Sequence, residues 1–278
     1  MRKLHLLFCL IMGLTLLLAS CGKKEEVSLN PYLGSNKLDG DGIPADFFQD
    51  VHIRKAFAYC FNWQALVDDV YSGEAVQAKS LVLPGMPGYD ADAPYYTTDL
   101  EKCAAEFKLA DVDKDGIPAG EDTDDVWSVG FRLQMLYNTG NSTRQTVAEV
   151  LQTNLSSVND KFVVEVLGLP WPAFLAAQNA YRIPIFIAGW QEDIHDPQNL
   201  YQVFTVGPNG SSQSMPEELI TNFVDLMEEG VSFHTASQRK AVYKELNQLY
   251  FNEVPGIPLV TATSHIYERS WVQGRIVN

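Results

Sequence analysis

The residues best suited to ligand chemistry are concentrated in one loop, at 189–200, with the sequence Gly-Trp-Gln-Glu-Asp-Ile-His-Asp-Pro-Gln-Asn-Leu. An apolar run at 183–188 precedes it and predicts a buried strand. Asp196 followed by Pro197 is typical of a helix N-cap and first helical residue. Residues 190–195 should therefore join a strand to a helix, a position where ligands bind in sheets flanked by helices. We expect a binding site with one aromatic face and three carboxylates, the alternative being a solvated acidic loop whose tryptophan is core.

The motifs of common hydrolases and nucleotide-binding enzymes do not occur in the sequence. It contains no Gly-x-Ser-x-Gly, His-Glu-x-x-His, Gly-x-x-x-x-Gly-Lys-Ser/Thr or Gly-x-Gly-x-x-Gly. Among the histidines, His195 is the one that suggests a metal or acid–base site, because it lies beside Asp193 and Asp196. We therefore expect a binding protein rather than an enzyme.

A second acidic segment, at 111–125, has the spacing of a calcium loop. Its sequence, Asp-Val-Asp-Lys-Asp-Gly-Ile-Pro-Ala-Gly-Glu-Asp-Thr-Asp-Asp, places oxygen ligands at alternate positions before a glycine, which suits a hard cation. Ala119 offers no side chain at the ninth position, and Asp122 is shorter than the usual glutamate, so a solvated loop is the alternative. The expected Ca²⁺ ligands are Asp111, Asp113, Asp115, the Ile117 carbonyl and Asp122.

The first residues predict export and a lipid anchor. A positively charged start precedes an apolar segment at 4–18, and Leu-Ala-Ser-Cys at 18–21 is similar to the lipobox of bacterial lipoproteins. We expect 1–20 to be a signal peptide, Cys21 to carry lipid outside the cytoplasm, and 21–47 to be a tether and lead-in. No later apolar run is long enough to cross a bilayer.

The formal net charge is −15 at pH 7. Such a charge disfavours nucleic acid as a partner and suits cationic ligands or metal ions. Cys60 and Cys103 lie on apolar faces of predicted helices, without a Cys-x-x-Cys partner. Buried free thiols are expected, with a disulfide as the alternative in an exported protein.

Strands and helices alternate along 48–278. Strict alternation over 129–137 predicts a strand with one buried face, followed by a turn at 138–141, a helix, and a second strand around 162–166. This order requires a right-handed crossover between parallel strands, so the fold class should be α/β. Helix N-caps are expected at Asp50, Asn62, Asp99 and Thr235.

The loop at 189–200 resembles the ligand-binding segment of extracytoplasmic solute-binding proteins of family 5, the dipeptide- and oligopeptide-binding proteins of ABC transporters. Further segments resemble that family in the same chain order; they are 51–63, 83–89, 136–141, 255–260 and 271–274. The resemblance implies a periplasmic-binding-protein type II-like lobe, with a mixed sheet flanked by helices, at 48–278. It also implies an incomplete protein that lacks the N-terminal lobe, either a truncated product or one that pairs with a partner chain.

The resemblance also implies roles for particular residues. In that family the acidic residue three after the tryptophan pairs with the α-ammonium of a bound peptide, and the matching residue is Asp193. Trp190 would pack on the ligand, Gln191 would offer hydrogen bonds, and Asn138 would lie near the cleft. Because Ile187 stands where oligopeptide binders often carry arginine, the ligand could instead be a longer peptide, an amide, a sugar or a metal chelate.

The implied function is that of the lipid-anchored ligand-binding component of an ABC importer for peptides, which hands its ligand to a membrane permease. No cofactor is required for that function, although Ca²⁺ could bind the acidic segment. The alternative is a calcium-binding surface lipoprotein with a structural or interaction role and no transport.

Overall fold

The computed structural model describes residues 29–207, 209–210, 215–262 and 267–274. Cys21 and the predicted signal peptide lie outside these residues. The regular elements, in chain order, are α1 (Val51–Tyr59), α2 (Trp63–Ala65), β1 (Ala75–Gln77), α3 (Leu100–Leu109), α4 (Val126–Val129), β2 (Phe131–Asn138), α5 (Ser142–Val158), β3 (Phe162–Leu169), α6 (Trp171–Asn179), β4 (Ile185–Phe186), α7 (Pro197–Tyr201), α8 (Glu217–Ser232), α9 (Ala236–Glu253) and β5 (Val260–Ala262).

The main sheet is parallel and has the strand order β3–β2–β4 among the described residues. β2 and β3 pair along their whole length, from Phe131 opposite Phe162 to Asn138 opposite Leu169. β1 and β5 form a separate antiparallel pair. The α/β class and the parallel β2–β3 pair are therefore as expected, and β4 is a shorter strand than the apolar run predicts.

The alternating pattern of β2 determines which face packs on the core. Phe131, Leu133 and Met135 are buried in the main core with α5 and β3. Leu136 is also buried, but on the opposite face, in a smaller cluster with Phe174. The strand thus has apolar partners on both faces and not on one alone. Its predicted start is two residues early, because position 129 ends α4 and Gly130 turns the chain with φ +82°.

Capping side chains begin the helices where the sequence predicts. Asp50 accepts hydrogen bonds from two amides of the first turn of α1, and Asn62, Asp99 and Thr235 each accept one from the first turn of their helices. The helix after Asn62 continues as a π-helical turn at Leu66–Val70, which the capping pattern does not predict.

The sequence predicts that the folded lobe begins at residue 48, but the packed body begins further upstream. Leu33, Ile43 and Phe47, all within the predicted tether and lead-in, are buried in the main core. Phe47 packs against Phe131 with ring centroids 5.4 Å apart. The segment from residue 31 onward is therefore part of the folded body, and only its turn-rich sequence makes it look like a linker.

The two predicted buried cysteines are free thiols. Cys60 and Cys103 are both fully buried, and the neighbouring Cys60 thiol together with burial raises the pKa of the Cys103 thiol. None of the helices in the described part of the chain has the length and apolar character needed to cross a membrane.

Candidate ligand-binding site

The predicted site lies where the parallel strands of the main sheet end. Asn138 is the last residue of β2 and lies opposite Leu169, the last residue of β3. β4 pairs parallel to β2 and leads directly into the 189–196 loop. Carboxyl ends of parallel strands share one sheet edge, so Asn138 and the loop belong to the same edge.

Asn199, on α7, holds the loop by a single side-chain oxygen. Its Oδ1 accepts a hydrogen bond from the indole Nε1 of Trp190 at 3.3 Å and another from the backbone amide of Asp193 at 3.2 Å. These bonds position the aromatic residue and the acidic residue relative to each other. The sequence shows Asn199 within the motif but does not reveal this role.

Asp196 fixes the other end of the loop. Its carboxylate caps α7 by accepting the amide of Gln198 at 3.1 Å, as the Asp-Pro pair predicts. It also accepts hydrogen bonds from Arg239 Nη2 at 2.6 and 2.9 Å, and Tyr243 OH lies at 3.3 Å. Because Arg239 and Tyr243 lie on α9, these hydrogen bonds attach the loop to that helix.

The loop keeps its predicted ligand-contacting groups accessible. Trp190 is 45% exposed, and Gln191 and Asp193 are also exposed. Among the described residues, no lysine or arginine forms an ion pair with Asp193. The Asp193 carboxylate is therefore available to an external cation, on an open surface and not inside an enclosed cavity.

Arg144 is a site residue that the sequence did not single out. Its Nη1 donates a hydrogen bond to Asn138 Oδ1 at 2.9 Å. Its Nη2 lies close to Gly189, since a Cβ added at that glycine would be 3.2 Å from it. Burial lowers the pKa of this guanidinium, and no described carboxylate forms an ion pair with it. A partly buried cation thus lies between the end of β2 and the backbone just before Trp190. The only sequence signal is its position three residues after the helix cap Asn141.

His195 connects the loop to the Pro-Gly segment at 83–89. Its Nδ1 lies 2.7 Å from Glu192 Oε1. Its Nε2 lies close to Gly85, since a Cβ added at that glycine would be 3.1 Å from it. The hydrogen bond with Glu192 raises the pKa of His195, outweighing the opposing effect of burial. Among the described residues, no cluster of three possible metal ligands includes His195. The geometry gives the predicted metal alternative at this histidine no support.

The acidic segment brings its carboxylates together at a different place. Side-chain oxygens of Asp111, Asp113 and Asp115 lie within 4.8 Å of one another, and so do those of Asp113, Asp122 and Asp125. Asp125 was not among the expected ligands. Burial raises the pKa of Asp125, outweighing the amides of Val126 and Val112 that bind it. Ile117 lies in the same loop, where its amide donates to Asp115 Oδ1 at 2.7 Å.

Comparison with known proteins identifies relatives over about four fifths of the chain. The chain is 27% identical over 232 residues to the dipeptide-binding protein of Escherichia coli strain K12, which covers 82% of this chain and 41% of that protein. It is 24% identical over 212 residues to heme-binding protein A of Haemophilus influenzae, covering 76% of this chain and 36% of that protein. The chain spans about two fifths of the length of the curated relatives it matches.

Solved structures show the same fold. The ABC transporter-associated periplasmic binding protein DppA from Helicobacter pylori, in complex with the peptide STSA, matches with a TM-score of 0.61 at 20% identity, covering 77% of this chain and 39% of that one. The fold is accordingly that of part of a type II periplasmic binding protein. The family described as bacterial extracellular solute-binding proteins, family 5 Middle, matches residues 25–212, which include the Trp190–Asp193 loop and more than half of the chain. The chain belongs to this family of extracellular solute-binding proteins.

Proposed function

We propose that this chain is the ligand-binding component of an ABC importer for peptides. The observation that carries the proposal is the exposed Asp193 carboxylate, which has no basic partner among the described residues and is held beside Trp190 by Asn199. A peptide's α-ammonium is the cation that such a group suits, because a charge-assisted hydrogen bond is stronger than one between neutral groups. The dipeptide-binding relative and the peptide-bound structure named above support the same ligand class.

The ligand would lie across the edge of the sheet. Its ammonium binds Asp193, its first residue packs on the exposed face of Trp190, and Gln191 donates or accepts hydrogen bonds with its backbone. Asn138 is oriented by Arg144 and lies at the end of β2. Since Arg144 is partly buried and lacks an acidic partner among the described residues, its guanidinium is suited to a ligand carboxylate. The pair of opposite charges would match the two ends of a short peptide.

The remaining parts of the proposal concern location and partners. Cys21 would carry the lipid that anchors the protein to the membrane, and the loaded protein would deliver its ligand to a permease. Nucleic acid has no part in this function, and neither does catalysis. Because the site is open on one side, a second lobe, in this chain or a partner, would cover the ligand and exclude water.

A different ligand class and a different function are the two alternatives to this proposal. One relative is named a heme-binding protein, so a metal chelate is an alternative to a peptide. The second candidate function is a calcium-binding surface lipoprotein without transport, which the acidic segment favours. A ligand screen separates these functions, because only a solute-binding protein responds to organic ligands.

The test measures thermal stability of the purified full chain with di-, tri- and tetrapeptides, hemin and glucose, each compared with buffer alone. We expect short peptides with free ends to raise Tm, because ligands that bind only the folded state stabilise it. Peptides with an amidated carboxyl end should give a smaller shift than free acids, and Arg144→Gln should remove that difference. If millimolar peptides leave Tm unchanged, or only hemin or glucose raises it, peptide binding is refuted.

A further inference from the structure

We propose that the acidic segment at 111–125 binds one Ca²⁺ ion, and that Asp125 completes a ligand set that the sequence spacing only partly shows. Ca²⁺ binds oxygen at about 2.3–2.6 Å, so ligands on opposite sides of one ion lie about 4.8 Å apart. Both carboxylate triplets of the segment meet this limit, and they share Asp113. One ion near Asp113 would contact members of both triplets, which are Asp111, Asp113 and Asp115, and Asp113, Asp122 and Asp125.

Two buried oxygens point independently to a missing ligand. Asp111 Oδ1 and Asp122 Oδ2 are buried, and neither has a hydrogen-bond partner in the part of the chain that the structure describes. Buried polar atoms normally have partners, and a buried carboxylate oxygen without one is costly. The second oxygen of each side chain is already used, since Asp111 Oδ2 accepts the Gly116 amide and Asp122 Oδ1 accepts the Asp124 amide.

Nearby lysines do not neutralise the cluster. The ammonium of Lys114, within the segment, pairs with Asp46, and that of Lys108 lies 4.5 Å above the ring of Trp127. Asp125 is fully buried, and its carboxylate accepts hydrogen bonds from the backbone amides of Val112 and Val126. No described ion pair includes any carboxylate of the two triplets. A buried carboxylate among other acids needs a counter-charge to stay ionised, and a divalent cation would supply it.

The donor chemistry selects Ca²⁺ among the common divalent cations. Every available side-chain donor is a carboxylate oxygen, whereas Zn²⁺ sites are usually built from sulfur and nitrogen. Mg²⁺ requires near-ideal octahedral geometry and retains several waters, which suits a cage of loop carboxylates poorly.

The proposed ion has a structural effect that is separate from peptide binding. The segment connects α3 to α4 and β2, and its Asp111 amide donates to Asp50, the N-cap of α1, at 2.9 Å. It therefore lies near the start of β2, whereas the candidate ligand site lies at the other end, beyond Asn138. Binding of Ca²⁺ would fix the loop against α1 and stabilise the sheet without contacting the peptide.

The test is a titration of the full chain, stripped with EDTA, with Ca²⁺ alone by calorimetry, and with Tb³⁺ read by luminescence sensitised by Trp127. We expect a Kd no weaker than about 10⁻³ M, the range of extracellular calcium modules, and a rise in Tm with Ca²⁺. Asp113→Asn should weaken the affinity at least about tenfold, because it removes the shared ligand. Asp124→Asn removes an exposed acid of the same segment that is in neither triplet, and should change the affinity less than about twofold.

Far-UV circular dichroism checks that each variant is folded. If Asp113→Asn is unfolded, Asp115→Asn replaces it in the comparison, because Asp115 is an exposed member of the first triplet, and it should also bind Ca²⁺ more weakly than the wild type. Absence of Ca²⁺ binding at 10 mM would overturn the proposal. Equal losses of Ca²⁺ affinity in Asp113→Asn and Asp124→Asn would also overturn it, because they would indicate diffuse electrostatic attraction. Equal affinity of the wild type for Mg²⁺ and Ca²⁺ would do the same.

Discussion

Arg239, on the long helix α9, donates two hydrogen bonds from its Nη2 to the carboxylate of Asp196, at 2.6 and 2.9 Å. Both side chains are about one fifth exposed, at 22% and 21%. Arg239 also donates to Tyr243 OH at 3.0 Å and, through Nε, to the Gly230 carbonyl at 3.0 Å. The ligand loop is thus attached to the C-terminal helices, so that its position depends on the packing of α8 and α9.

The first prediction concerns this attachment. Asp196→Ala removes the cap of α7 and leaves Arg239 partly buried without its charged partner, so we expect a loss of about 2 kcal/mol in the free energy of unfolding. Urea denaturation measures it. Lys244→Met is the control, because it removes an ion pair of α9 with Asp90 that is more exposed, and its effect should be much smaller. Equal losses in the two variants would show that the Asp196–Arg239 pair has no special role.

The second prediction concerns Asn199. Asn199→Ala removes the acceptor that both Trp190 Nε1 and the Asp193 amide use, so the loop should lose its fixed geometry. We expect peptide affinity to fall about tenfold while Tm changes little, since charge-assisted contacts need both partners in position. Gln198→Ala, next to it on α7, is the control and should leave the affinity unchanged. Wild-type affinity in Asn199→Ala would mean that the ligand does not depend on this geometry.

The third prediction concerns pH. Because the hydrogen bond with Glu192 raises the pKa of His195 above its usual 6.5, the folded state binds the proton more tightly than the unfolded state. The resulting stabilisation is fully present below about pH 6.5 and is lost as pH rises through the raised pKa. We therefore expect His195→Gln to lower Tm at about pH 6 and to match the wild type at about pH 9. A Tm difference that stays constant over this range would contradict the assignment.

Much of the fold follows from local sequence rules. The caps at Asp50, Asp99 and Thr235 and the alternation along β2 act within a few residues, so the sequence predicts them directly. The burial of Phe47 depends on contact with Phe131, far away in the chain, and no local pattern reveals it.

The site shows the same division. The motif places Trp190 and Asp193 on one loop, and the Asp-Pro pair predicts the start of α7. Arg144 contacts Asn138, and Arg239 contacts Asp196, only because α5 and α9 pack near the loop. The sequence around an arginine in a helix does not reveal which residue it will contact. The sequence does not point to Asp125 as a candidate calcium ligand, because the twelve-residue loop pattern ends at Asp122.

The central claim is that Asp193 receives the α-ammonium of a peptide. The most direct measurement is a double-mutant cycle by calorimetry, in which trialanine and N-acetyl-trialanine are titrated against the wild type and Asp193→Asn. We predict that acetylation weakens binding to the wild type by about ten- to hundredfold, the value of a hydrogen bond between charged groups, and has little effect on binding to Asp193→Asn. Equal effects of acetylation on the two proteins would contradict the account.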